Sequence, residues 1–252
     1  MKCHIILDAD GPLYTAAYHG EMVIDWGDGI VTASNNLSES LEHFSGQISR
    51  VMDVVYGEFP EVETCIVHYC FSLKDANGKY TRNYHYPDYK ANRSSSRPPI
   101  GLKQLRDIVV RPLVYQLDGW EADDLVGALT YQYSNSKKPE EFCVVVSADK
   151  DLEQIPGYHI NAAHPENGAY LVHEEDAERW RWKQVLMGDA TDGYPGIFGV
   201  GPKKADKILS DPNLGDTLEQ RVMAAYLNAG IPEQFEVMNK LATIYYGEYP
   251  NV

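Results

Sequence analysis

The run FCVVV at residues 142–146 passes without a spacer into Ser147, Ala148, Asp149, Lys150 and Asp151. Five consecutive apolar residues, three of them β-branched, read as a strand buried on both faces. Such a strand requires a parallel sheet with helices packed above and below it. In open parallel sheets, polar groups at the carboxyl ends of strands line the functional crevice. Asp149 and Asp151 stand at such an end, although simple turn formation uses the same residue type. Residues 5–7 repeat the pattern, apolar and closed by Asp8.

Residues 65–71 supply a further buried strand, and 158–161 and 170–172 two more. Leu37, Leu41, Phe44, Ile48, Val51, Met52 and Val55 recur at helical spacing. They predict an amphipathic helix over 37–56, with Asn36 and Glu39 as its capping box. Helices are also predicted from about Ile100 to Pro112 and over 121–133, 174–187, 217–229 and 233–246. Strands alternating with helices, then helices only, give an α/β fold: a central, mostly parallel sheet flanked by helices, with a helical C-terminal part. The expected division is 1–180 for the core and 181–252 for the helical part.

The formal net charge is −15 over 252 residues, which argues against indiscriminate nucleic-acid affinity. The average hides an island: residues 74–111 hold nine Lys/Arg against three acids. Within it, residues 76–99 are polar, basic and Tyr-rich and end in SSSRPP, so they read as an exposed excursion from the core. Tyr80, Tyr84, Tyr86 and Tyr89 are available there either to stack on unpaired bases or to pack against the body. Cys3, Cys65, Cys70 and Cys143 show no paired spacing and read as thiols in a reducing compartment. With no signal peptide and no apolar run of spanning length, the expectation is a cytoplasmic protein with no membrane partner.

Residues 188–207, GDATDGYPGIFGVGPKKADK, join two chemistries. Asp189 and Asp192 lie one helical turn apart. Gly196, Gly199 and Gly201 then form a turn that leads through Pro202 into Lys203, Lys204 and Lys207. Glycines let backbone amides approach an anion, and proline is pre-set for a first helical position. Glu121, Asp123 and Asp124 open another helix, where acids also simply complement the dipole. If these acids converge with Asp8, Asp149 and Asp151, each like-charged pair at ~4 Å repels by about 4 kcal/mol at an effective dielectric near 20. A cluster of that kind needs cations, and all-oxygen donors suit Mg²⁺ or Mn²⁺.

Four segments, YPDYKANR at 86–93, WEADDL at 120–125, SADKDL at 147–152 and GDATDGYPGIFGVGPKK at 188–204, together resemble the 5′-nucleases. These comprise phage 5′-exonucleases, flap endonucleases and the 5′-nuclease domain of bacterial type I DNA polymerases. The resemblance spans residues 4–210 and implies a PIN-like α/β nuclease fold with a basic arch near 76–111 and a helix–three-turn–helix motif. It implies a 5′-3′ exonuclease or 5′-flap endonuclease using two Mg²⁺ ions, replaceable by Mn²⁺, held by Asp8, Asp75, Glu121, Asp123, Asp124, Asp149, Asp151, Asp189 and Asp192. Asp8, Asp123 and Asp149, with Lys90 and Arg93 at the scissile phosphate, form the implied catalytic set. Arg82, Tyr89, Lys90, Arg93, Gly196, Gly199, Gly201, Lys203 and Lys204 are the implied DNA contacts, with a K⁺ ion at the glycine turn. The implied partner is DNA with 5′ ends or flaps, or RNA in an RNA–DNA hybrid, bound by a monomer in a bacterial or phage-infected cell.

The chain departs from the family pattern at several positions. Asp8-Ala9-Asp10-Gly11 offers two candidates for the first ligand. Ser72 follows Phe71 where many members carry an aspartate, so Asp75 enters by spacing alone. Thr15 stands where several members have a basic residue, and Gly193 replaces a common Asn. Two other readings remain. Asp8-Ala-Asp10-Gly11 also fits the nucleophile loop of a haloacid-dehalogenase-type phosphatase, which requires a strand over 181–187. A non-catalytic DNA-binding module is the second.

Overall fold

In the computed structural model, residues 1–95, 97–109, 113–136 and 138–250 are described. In chain order the elements are β1 (Lys2–Asp8), α1 (Asp10–His19), β2 (Glu21–Asp25), β3 (Val31–Asn35), α2 (Leu37–Glu58), β4 (Thr64–Cys70), α3 (Thr81–His85), α4 (Leu102–Val109) and β5 (Val114–Tyr115). There follow α5 (Ala122–Ser134), β6 (Glu141–Ser147), β7 (Gly157–Asn161), β8 (Ala169–Val172), α6 (Glu174–Met187), α7 (Pro202–Leu209), α8 (Leu218–Asn228) and α9 (Phe235–Ala242). Arg111 and Pro112, the end of the basic island and the expected helix stop, lie outside the described residues. No described helix is long and apolar enough to cross a membrane.

The main sheet has the order β5-β4-β1-β6-β7-β8. β1 pairs in parallel with β4 on one side (Ile5 opposite Val67) and with β6 on the other (Ile5 opposite Val144). Only β8 runs antiparallel, against β7. Strand periodicity splits the apolar runs between two cores. Ile5, Leu7, Val144 and Val146 join Leu13, Phe44, Ile48, Val51 and Val55 of α1 and α2. Ile6, Cys143 and Val145 join Leu125, Val126 and Leu129 of α5. Burial on both faces is why β1 and β6 are uninterrupted apolar runs. α2 starts at the expected cap, where Asn36 Oδ1 accepts from the Glu39 amide at 3.3 Å and Asn36 Nδ2 donates to Glu39 Oε2.

A third core gathers Trp182, Val185 and Leu186 of α6 with Leu209, Val222, Tyr226, Phe235, Met238 and Leu241 from α7, α8 and α9. The expected division after residue 180 falls inside α6. α6 also covers 181–187, where the phosphatase reading requires a strand, and that reading loses its basis. The helix expected over 233–246 stops at Ala242. Beyond it the Ile244 amide donates to Gln154 and the Tyr245 amide to Asp124 at 2.9 Å. This tail passes so close to α5 that a Cβ on Gly127 would lie 1.9 Å from Tyr245 O. Side-chain acceptors far away in sequence thus pull the chain out of the helix.

The expected excursion is largely exposed, but two of its functional candidates are not. Arg82 is 5% exposed and Tyr89 3%, and Tyr86 and Tyr89 pack into the third core. Of the four tyrosines in the basic island, Tyr84 is the one counted among the exposed large side chains. A segment rich in Lys, Arg and Tyr reads as surface, but here carboxylates inside the fold draw Arg82 and Lys90 inward. The sequence reading also omitted α1 and the β2–β3 hairpin, whose turn places Gly27, Asp28 and Gly29 at positive φ.

Candidate active site

A cleft of about 920 Å³ opens over the carboxyl ends of β1 and β6. Asp8, Asp10, Glu121, Asp123 and Asp149 line it, together with Lys90 and Arg93. Asp8 ends β1, and its Oδ2 accepts from Ser147 Oγ at 3.0 Å; that hydroxyl in turn accepts the Asp149 amide. Ser147 therefore fixes the two strand ends against each other. Burial first, then the charges of Asp10 and Asp149, push the Asp8 carboxyl up to about 7. Asp10, on the first turn of α1, accepts the Ser72 amide at 3.0 Å. Ser72 Oγ accepts from the Ala122 amide and its carbonyl accepts from Arg106. Asp10 thus puts a carboxylate beside Ser72, the place where the resemblance looked for one.

Asp75 is elsewhere. Its Oδ1 accepts the Asn77 and Lys79 amides at 2.9 Å and its Oδ2 accepts from Tyr84, forming an exposed turn that does not line the cleft. The spacing argument that introduced Asp75 counted residues through a segment that the structure folds back on itself.

Glu121, Asp123 and Asp124 present oxygens within 4.8 Å of one another, but the guanidinium of Arg82 already lies among them. It donates to Glu121, to Asp124 at 2.9 Å and to Asp123 at 3.3 Å. The structure therefore turns Arg82 from the expected DNA contact into a buried internal cation. Asp124 faces away from the cleft, into a separate cavity of about 400 Å³ walled by Thr81, Trp120 and Tyr245. Burial disfavours the Glu121 carboxylate, but Arg82 and Lys90 outweigh it and hold its pKa below the ordinary value. For Asp123 burial wins, aided by Asp124 and Glu121, and its pKa is raised despite Arg82. Among the described residues, the four carboxylates of Glu121, Asp123, Asp124 and Asp192 are paired with three cations, Arg82, Lys90 and the half-exposed Arg93, so negative charge is in surplus.

A second acidic group adjoins the first. Asp149 caps the 3₁₀ turn Lys150–Gln154 by accepting the Asp151 amide at 2.9 Å. Asp151 is pushed up to about 7 by burial and then by Asp149, Asp189 and Asp192. Asp189 accepts the Thr191 and Asp192 amides, and its backbone bridges Tyr194. Asp192 holds the basic segment: Tyr89 donates to it at 2.8 Å, Arg93 donates to it, and Lys90 lies at 3.5 Å. Lys90 also donates to Glu121, and its backbone sits at φ +58°, in the left-handed region. Its amide donates to Asp192 O at 2.7 Å, a constraint that helps hold this uncommon conformation. All-oxygen donors with surplus negative charge fit hard divalent cations.

The glycine turn lies C-terminal to these acids. Gly188 and Gly196 sit back to back at φ +69° and +58°, and a Cβ on Gly196 would lie 2.2 Å from Gly188 N. Gly199 at φ +73° and Gly201 face open space. Pro202 starts α7, and Lys203, Lys204 and Lys207 are exposed.

The family model described as the 5′-3′ exonuclease N-terminal, resolvase-like domain matches residues 35–181, more than half of the chain. The chain belongs to the 5′-3′ exonuclease family. The 5′-3′ exonuclease of Buchnera aphidicola subsp. Acyrthosiphon pisum (strain APS) is 30% identical over 206 residues, covering 72% of this nuclease and 68% of that protein. The thermostable DNA polymerase I of Thermus aquaticus is 29% identical over 150 residues, covering 54% of this chain and 17% of the polymerase. In fold, the nuclease is similar to the bacteriophage T5 flap endonuclease solved with DNA and metal ions, with a TM-score of 0.60 at 16% identity, covering 96% of this chain and 88% of that one.

Several residues that build the nuclease's site escaped sequence reasoning. Ser147 and Asn92, which donates to Ala190 O at 2.9 Å, stand inside the SADKDL and YPDYKANR segments, but the resemblance assigns them no role there. His43, Gln47 and Arg50 line the cleft from α2. Their i, i+4, i+7 spacing was visible, but a polar helix face reads as solvent-exposed unless the sheet's crossover is known.

Proposed function

We propose that the protein is a divalent-metal-dependent 5′-3′ exonuclease and structure-specific 5′-flap endonuclease that hydrolyses phosphodiester bonds of DNA, and of RNA in RNA–DNA hybrids. The observation that carries this reading is the shared cleft of Asp8, Asp10, Glu121, Asp123 and Asp149, faced by Lys90 and Arg93. Asp8, Asp10, Asp123 and Asp149 would hold one Mg²⁺, and Asp151, Asp189 and Asp192 would hold a second, with Mn²⁺ able to replace either. When bound, such a pair activates a water and stabilises the leaving oxygen of an in-line displacement.

The protein's own residues do the positioning. Lys90, held by Glu121 and Asp192, presents an ammonium to the scissile phosphate. Arg93, about half exposed, exchanges Asp192 for a substrate phosphate. Glu121 orients Lys90 and Arg82 and is not itself a metal ligand in this reading; Asp124 and Asp75 are likewise outside the ligand set. Gly196, Gly199 and Gly201, with a K⁺ ion at the turn, and Lys203 and Lys204 hold the duplex backbone of the substrate. The protein acts as a monomer in the cytoplasm of a bacterial or phage-infected cell.

The test is digestion of a 5′-flapped duplex labelled at either end, with and without Mg²⁺. Metal-dependent release of short products from the 5′ end is expected, and Asp149→Asn should abolish it while leaving duplex binding intact. Binding without cleavage by the wild-type protein under all divalent ions would return the chain to a non-catalytic module.

A further inference from the structure

Phe198 lies between Gly196 and Gly201 and is 98% exposed. An isolated apolar side chain on a surface needs no explanation. This one differs because its surroundings are rigid. Ile197 and Val200, close on either side, are both 7% exposed and belong to the third core. The Ile197 amide donates to Leu186 O and the Val200 amide to Ile197 O, both at 2.9–3.0 Å. Gly196 and Gly199 hold the left-handed conformations that turn the chain outward between those anchors. The fold thus drives Ile197 and Val200 inward and lifts the ring between them into solvent.

The ring's neighbourhood points to one kind of partner. Among the described residues, the amides of Phe198, Gly199, Gly201 and Lys203 donate to no acceptor in the protein. Lys203, Lys204 and Lys207 form no ion pair, whereas nearby Lys183 is paired with Asp206 at 2.8 Å. Free amides and unpaired lysines around a fixed aromatic ring match a surface that alternates phosphates with flat apolar groups. A phenyl ring has two side-chain torsions to fix, so its contact area is gained at little entropic loss. Proteins that bind the minor groove frequently insert apolar wedges, Phe among them, between base steps.

We propose that Phe198 is a positioning residue that seats its ring in the minor groove of the substrate duplex while the surrounding amides and lysines hold the flanking phosphates. The inference rests on the nuclease reading above and adds to it a contact independent of charge. It makes the duplex grip two-part: the lysines add salt-dependent phosphate contacts, and the ring adds a salt-independent contact that also fixes the depth of seating and so the distance from duplex end to cleavage cleft.

Fluorescence anisotropy of a labelled 20-base-pair duplex, titrated at several salt concentrations, tests it, using Asp149→Asn protein to prevent digestion. Phe198→Ala should weaken binding about ten-fold or more while leaving the slope of log Kd against log salt unchanged. Lys203→Ala should instead reduce that slope by about one. Phe198→Trp should restore binding, and the thermal midpoint should not move in either Phe198 variant, because the ring packs on nothing. Equal affinity of Phe198→Ala and its parent overturns the proposal, as does a change of salt slope or the loss of a protein dimer in place of DNA affinity. A parent protein that binds no duplex at any salt overturns the nuclease reading itself, and the two failures are thereby distinguishable.

Discussion

The hydroxyl of Tyr89 donates to Asp192 Oδ2 at 2.8 Å across 103 residues of sequence. This bond, with those from Lys90 and Arg93 to the same carboxylate, fastens the basic segment to the loop that carries Asp189 and Asp192. It makes the separation of the cations from the acids a property of the fold. Lys90→Ala should therefore lower turnover by at least 10²-fold and change duplex affinity by less than three-fold, order-of-magnitude expectations for a group acting mainly in the transition state. Single-turnover rates set against equilibrium binding check this; equal losses in both would reassign Lys90 to simple substrate binding.

Arg82 compensates one buried and two largely buried carboxylates, so its removal strands charge inside the protein. Arg82→Met should cost about 3–5 kcal/mol of unfolding free energy, measured by urea denaturation. Arg82→Met with Asp124→Asn should recover part of that loss. A loss under about 1 kcal/mol would mean that water reaches these carboxylates.

Asp10 and Asp75 separate cleanly. Asp75→Asn should leave cleavage within about two-fold of wild type, because the side chain only closes a surface turn. Asp10→Asn should reduce cleavage by ~10²-fold or more and weaken divalent-ion binding measured by calorimetry. The reverse ranking would show that the 74–80 segment moves into the cleft when substrate binds.

The metal-free protein should become less stable as pH rises from about 4 to 7. Asp8 and Asp151 both titrate near 7 in the folded chain against an ordinary value of 3.8. Between those values the folded state binds more protons than the unfolded one, so stability falls with rising pH. His68, lowered to about 4 chiefly by burial, acts oppositely below 6.5, because there the unfolded state takes the extra proton. Asp8→Asn should flatten this decline, and Mg²⁺ should raise the thermal midpoint more at pH 8 than at pH 5.5. A Mg²⁺ effect independent of pH would argue that these carboxylates are not where the ion binds.

Gly196→Ala should destabilise far more than Gly199→Ala. Both positions need positive φ, costing about 1–2 kcal/mol for a residue with a Cβ. Only at Gly196 would the new methyl also strike the Met187–Gly188 backbone. Comparable thermal midpoints for the two variants would mean that the turn opens without cost.

The sheet and the acids at its strand ends were legible because both are local. FCVVV followed by SADKD, and IIL followed by Asp8, carry their burial and their polarity in adjacent residues. Membership of the carboxylates in one cleft was not local. Asp10 and Asp75 are both open as ligands in the sequence, Asp10 as the alternative to Asp8 and Asp75 by its spacing after Ser72. The Ala9 amide bonded to Cys70 O and the Ser72 amide bonded to Asp10 put the first into the cleft, while the second stays on the surface. Arg82 and Tyr89 look solvent-exposed by every local measure, and it is Glu121, Asp124 and Asp192, brought near by crossovers of about 40 and 100 residues, that draw them inside. The sequence by itself determined which chemistry was available. The tertiary structure decided which charges meet, because like-charged oxygens can be held together only where distant segments deliver compensating cations.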